Sequence, residues 1–118
     1  MKITRYIAAS VVALIVSVSS YGYDKAKVDR YIREAEYYTR QAESFERDAA
    51  YYVKQGLKYM RNAEFYSKKG YDSKAKTYMK WAKDASYKVT YKKRKAEDAR
   101  NKAQLRLKWA NNEMKNEN

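Results

Sequence analysis

Over the first half of this chain, a small residue and an aromatic recur at fixed places in a seven-residue register. From Val28 the register runs through Ala35, Ala42, Ala49, Gly56, Ala63 and Gly70. Three residues after each step, as far as position 66, stands an aromatic: Tyr31, Tyr38, Phe45, Tyr52, Tyr59 and Tyr66. A hydrophobic period of about 3.5 residues puts one stripe on one side of a helix and favours helices that wind around each other. The chain has no Pro and only 3 Gly, so little in it would interrupt such a helix.

The register breaks once, at Gly70-Tyr71-Asp72-Ser73. Gly suits the left-handed position that ends a helix, Lys68 and Lys69 suit the preceding turn, and Asp72 and Ser73 are candidate N-caps for a new helix. A second run in a new phase then follows through Ala75, Ala82, Val89, Ala96, Ala103 and Ala110. Acid-to-base pairs four residues apart support both helices: Asp29–Arg33, Glu36–Arg40, Glu43–Arg47, Glu64–Lys68, Asp84–Lys88 and Asp98–Lys102.

The expected fold is therefore all-α: a long antiparallel helical hairpin, coiled-coil-like, with Ala/Tyr heptads. Helix 1 is expected over about residues 24–69, the turn over 70–73, helix 2 over about 73–112, and a frayed tail over 111–118. Gly56 leaves open a kink in helix 1, or a three-helix arrangement. Its place on the small-residue register, with no capping residue after it, favours a close approach of two helices instead. The expected packing seam comprises Tyr31, Ala35, Tyr38, Ala42, Phe45, Ala49, Tyr52, Gly56, Tyr59, Ala63, Tyr66, Ala75, Tyr78, Ala82, Val89, Ala96, Ala103 and Ala110. Tyr37, Tyr51, Leu57 and Phe65 flank it and would stay partly exposed in a monomer, so a homo-oligomer is expected.

Residues 1–22 read as a cleavable secretory signal of bacterial Sec type. Lys2 and Arg5 precede an apolar run from Ile7 to Val18, and Ser20-Tyr21-Gly22 or Val18-Ser19-Ser20 offers a cleavage site. The run is shorter than the ~20 residues a spanning helix needs. No Cys follows it, so no lipid anchor is expected, and the protein is expected to be exported to the periplasm or secreted. Residues 23–118 then form a single domain that must hold itself together without disulfides.

Enzymatic readings fail for want of the right residues. The sequence has no His and no Cys, which removes imidazole bases, thiolate nucleophiles and ordinary zinc sites. No Gly-rich phosphate loop or nucleophile elbow occurs either. The expectation is that the protein is not an enzyme and has no catalytic residues, cofactor or metal.

Charge is what remains. Setting aside Lys2 and Arg5, 25 of the 27 Lys and Arg face 14 Asp and Glu, a net of +11. Residues 71–118 account for +8 of it, with a dense run at Lys92-Lys93-Arg94-Lys95. Lys88, Lys92, Lys93, Arg94, Lys95, Arg100, Lys102, Arg106 and Lys108 are the candidate residues for binding an anionic partner. An anionic envelope polymer, a lipid surface or an acidic protein is expected. Nucleic acid matches the charge but suits an exported chain less well. The function expected is that of an exported structural or binding protein, self-associating through its Ala/Tyr seams and presenting a cationic helix face. The alternative is a small periplasmic holdase-type chaperone for unfolded or outer-membrane clients. Tyr37, Tyr51, Tyr87 and Tyr91 are candidates for an aromatic platform, and Leu105 to Ala110 for an amphipathic tip or a packing end.

Overall fold

The computed structural model describes residues 22–115. The signal segment expected at residues 1–22 lies outside the described residues except for Gly22, as do residues 116–118. Two helices of 44 residues each, α1 (Lys25–Lys68) and α2 (Asp72–Lys115), form an antiparallel hairpin, and no strand occurs among the described residues.

Each helix begins and ends for a local reason. Asp24 precedes α1, and its Oδ1 accepts a hydrogen bond from the Lys27 N–H at 3.1 Å, satisfying a donor that lacks a partner in the first turn. At the other end Gly70 has φ +82°, a value that costs an L side chain about 1–2 kcal/mol. The Tyr71 N–H donates to the Tyr66 carbonyl at 2.9 Å and the Gly70 N–H to the Ser67 carbonyl at 3.1 Å. This pair of bonds is the Schellman arrangement, and the rings of Tyr66 and Tyr71 supply its apolar contact, 6.2 Å between centroids.

Tyr71 also serves the second helix, because its carbonyl accepts the Ala75 N–H at 3.0 Å. So Tyr71, and not Asp72 or Ser73, holds the N-cap position; Asp72 sits in the first turn, where its charge suits the helix dipole. One residue closes α1 and opens α2, so the turn is shorter than the expected 70–73.

The chain divides into two compact units. Among the described residues, a terminal unit combines 22–43 with 96–115, and a turn unit comprises Ser44–Lys95. In both, the buried residues are mostly alanines: Ala35, Ala42, Ala96, Ala99, Ala103 and Ala110 in the terminal unit, and Ala49, Ala63, Ala75, Ala82 and Ala85 in the turn unit. An alanine presents only a methyl group, so the backbones of α1 and α2 can come together. Every expected seam residue is buried or half-buried. The seams expected to mediate self-association thus close on each other within one chain.

A further expectation changes at the C-terminal end, and the reading of Gly56 holds. The tail expected to fray at residue 111 continues as helix to Lys115, because Ala110 and Met114 pack with Val28, against which Tyr23, Tyr31 and Ile32 also lie. α1 runs through Gly56 without interruption, which leaves two helices and not three. A Cβ placed on Gly56 would lie 3.5 Å from the Ala85 Cβ and 3.9 Å from the Ala82 carbonyl oxygen, so this is a close approach, as its register implies.

Candidate functional site

The aromatic row of α1 determines what the cations of α2 do. In the turn unit the Lys74 ammonium lies over Tyr66 at 4.8 Å, and Trp81 meets Tyr59 edge-on at 5.7 Å. The Lys88 ammonium lies over Tyr52 at 5.2 Å, and that of Lys92 over Phe45 at 5.5 Å. In the terminal unit Lys102 lies over Tyr38 at 5.6 Å, and Trp109 meets Tyr31 at 5.6 Å. Lys74, Trp81 and Lys88 in the turn unit, and Lys102 and Trp109 in the terminal unit, share one seven-residue register of α2. Lys95 on that register lies over Tyr91 of its own helix, and Phe45 is met by Lys92 instead. Each cation over an exposed ring is worth about 0.5–1 kcal/mol.

Two of the nine candidate partner-binding cations are committed more deeply. Lys92 pairs with Asp48 at 3.2 Å with its side chain 25% exposed. Arg106 donates from Nε to Glu34 Oε1 at 2.8 Å, with its side chain 20% exposed and its guanidinium 5.3 Å from the Tyr38 ring and 4.5 Å from that of Trp109. With Lys27–Glu113 at 3.5 Å, these pairs tie α1 to α2.

Sequence reasoning placed Lys92 and Arg106 on an exposed stripe, although a signal in the register marks them. Three residues beyond each small residue of α2 stand Tyr78, Ala85, Lys92, Ala99, Arg106 and Glu113. Applied to α1, that step found the aromatics; applied to α2, it finds a seam of mixed polarity.

The other candidates are more open. Lys95 sits over the Tyr91 ring of its own helix at 5.5 Å. Lys93 and Arg94 in the turn unit, and Lys108 in the terminal unit, are exposed and have no ion pair or ring contact among the described residues. Arg100 is half-buried and takes part in a contact. The nine cations therefore belong to two units, and at least four of them, Lys88, Lys92, Lys102 and Arg106, contact α1. Of the acid–base pairs along one helix, Glu64–Lys68 closes at 3.1 Å, whereas Lys88 and Lys102 face α1 rings.

The turn unit carries a second kind of surface. Leu57 (47% exposed), Met60 (51%) and Met79 (53%) stand over the Ala63 and Ala75 methyls and line an open groove of about 700 Å³ with Glu64 and Lys76 at its rim. This apolar surface was not anticipated beyond Leu57, because Met60 and Met79 fall outside the small–aromatic register. Among the described residues, no three Asp or Glu side chains gather into a metal site, and no helix is long and apolar enough to cross a membrane.

What the arrangement can do chemically is bind, through exposed cations, an apolar groove and aromatic rings. No family model matches the chain, and no curated protein or solved structure matches it either.

Proposed function

We propose that the protein is an exported, non-enzymatic structural or binding protein that self-associates and presents cationic residues of α2 to an anionic partner. The observation that carries this reading is the groove of the turn unit. There Leu57, Met60 and Met79 stay in water after α1 and α2 have paired. Apolar surface left open by a finished hairpin is a surface for a second chain. With the Ala/Tyr seams closed inside the hairpin, self-association falls to this groove.

Charge at the rim supports the same reading. Arg61 and Glu64 lie on the α1 side of the groove, and Asp72 and Lys76 on the α2 side. A second copy related by a two-fold axis along the groove would bring Arg61 and Glu64 of each chain towards Asp72 and Lys76 of the other, one acid and one base on each side. Such isologous contacts are the commonest way chains pair. Anionic partners are left the exposed Lys93, Arg94 and Lys108. A lipid surface or an envelope polymer suits a chain whose first 22 residues read as a secretory signal.

Gel filtration with light scattering tests the first half. The full chain is expected to elute as a dimer or larger species, and Met60→Lys with Met79→Lys as a monomer of unchanged helicity, because both side chains are already exposed. For the second half, phosphatidylglycerol vesicles should retain the protein in a salt-dependent way, and Lys93→Glu with Arg94→Glu should weaken that retention. A wild-type monomer that binds these vesicles no better than neutral ones would overturn the proposal.

The exposed methionines favour a second reading, a holdase-type chaperone, because flexible thioether side chains adapt to varied apolar clients. Suppression of client aggregation that disappears in the Met60→Lys, Met79→Lys variant would support it.

A further inference from the structure

We propose that a cleft in the turn unit binds a short neutral oligosaccharide. The cleft lies between Tyr51, Gln55 and Tyr59 of α1 and Trp81, Asp84 and Lys88 of α2, and its volume is about 470 Å³. Ligand sites commonly fall in the range of about 300–1,000 Å³. It shares no residue with the apolar groove, and nothing in its argument depends on self-association.

The aromatic groups are set in place before any ligand arrives. The Trp81 ring is wedged between Tyr59 at 5.7 Å and Tyr78 at 5.3 Å, both contacts edge-on, yet Trp81 remains 44% exposed. Tyr51 braces edge-on against Tyr52 at 5.3 Å and is 56% exposed. Two rings braced by neighbouring rings, each with open surface and few rotatable bonds, lose less conformational entropy on binding than longer side chains would.

The polar groups select the class of ligand. Asp84 and Lys88 stand one turn apart on α2 and lean towards the same side. The Lys88 ammonium rests over Tyr52 at 5.2 Å, which leaves the Asp84 carboxylate to accept from a ligand. Gln55 is half-buried and adds both an acceptor and a donor. The site thus offers one positive and one negative group, with donors and acceptors beside aromatic faces.

A pyranose ring meets those terms. Its C–H face lies against an aromatic ring while its equatorial hydroxyls reach the rim, where each can donate and accept. A phosphorylated or nucleotide ligand would meet the Asp84 charge. A wholly apolar peptide would desolvate the carboxylate and the amide without replacing their hydrogen bonds.

The test is calorimetric titration of the full chain with maltotriose, cellotriose and triacetylchitotriose, alongside Trp109→Phe, in which Trp81 is the only tryptophan of the hairpin. Saturable binding of at least one sugar is expected, with a Kd of about 1 mM or tighter, together with a change in Trp81 emission. Asp84→Ala and Tyr51→Ala replace exposed side chains on helix surfaces; each should weaken binding at least about ten-fold, or ~1.4 kcal/mol, at unchanged helicity. Absence of binding by all three sugars, or binding that survives both substitutions, would overturn the proposal. So would equal binding of a hydrophobic peptide in the same cleft. None of these results bears on the groove, whose state is read from mass alone.

Discussion

The terminal unit and the turn unit are built from the same two helices but are held together differently. The terminal unit contains Val28, the largest fully buried side chain among the described residues, packed with Ala110 and Met114. It adds two ion pairs between helices, Lys27–Glu113 and Arg106–Glu34, and Tyr38 takes cations from both Lys102 and Arg106. The turn unit buries little beyond alanine methyls. Its larger contacts are between rings, with Tyr66 and Tyr78 stacked 4° from parallel at 5.6 Å and Trp81 set against Tyr59 and Tyr78.

The difference follows from what each unit must resist. In the turn unit the covalent link and the Gly70 cap already keep the helices close, so ring contacts, methyls, ammoniums over rings and the one Lys92–Asp48 pair suffice, and side chains such as Met60 and Met79 stay exposed. In the terminal unit nothing covalent joins the strands of the hairpin. Separation there is opposed by apolar burial and by charges that pair only when the helices meet. The apolar groove therefore lies in the turn unit, while two of the three ion pairs between helices, and the burial of Val28, lie in the terminal unit.

The contrast can be broken first in the terminal unit. Ala110→Asp would set an unpaired carboxylate where Ala110 is 1% exposed, beside Val28. We expect a loss of about 3 kcal/mol or more. Hydrogen exchange should show it as opening of the Val28 and Met114 region, with protection kept around Ala63 and Ala75. Equal loss of protection in both units would contradict the division of labour.

A smaller effect is expected at the turn. Gly70→Ala forces an L side chain to φ +82° although nothing lies within 4 Å of its Cβ, so conformational strain is the only cost. The expected destabilisation is about 1–2 kcal/mol, read as a lower denaturant midpoint at unchanged m-value.

The smallest change should be a gain. Gly56→Ala adds a methyl 3.5 Å from the Ala85 Cβ, an ordinary contact, and removes a flexible residue from a helix interior. Stabilisation of about 0.5–1 kcal/mol should follow, measured by the same denaturation. A loss would mean that the helices need the space at Gly56 for a closer approach than the contact distance implies.

The helices and the core were legible in the sequence because they depend on periodicity. A small residue at every seventh position, with an aromatic three later, identifies the face of α1 that is buried whatever its partner, and each of those residues is buried or half-buried. Gly70 as the end of α1 was legible for an equally local reason. The roles of the charges were less so. Lys88, Lys93 and Lys102 are chemically alike in the sequence, but two lie over rings of α1 and one is open.

By itself, then, the sequence determined that the chain is all-α, that it turns once near Gly70, and which small and aromatic residues form the seam. Those properties follow from backbone geometry and the spacing of apolar side chains, and they hold before any partner helix is in place. Only the tertiary structure decided that Lys92 and Arg106 pair across the seam with Asp48 and Glu34, and that the helix continues to Lys115. It also decided that Leu57, Met60 and Met79 share a groove while Tyr51, Trp81 and Asp84 share a cleft. These depend on how α1 and α2 are aligned in antiparallel register. A long, flexible or amphipathic side chain is directed by whatever that alignment sets beside it, and not by its neighbours along the chain.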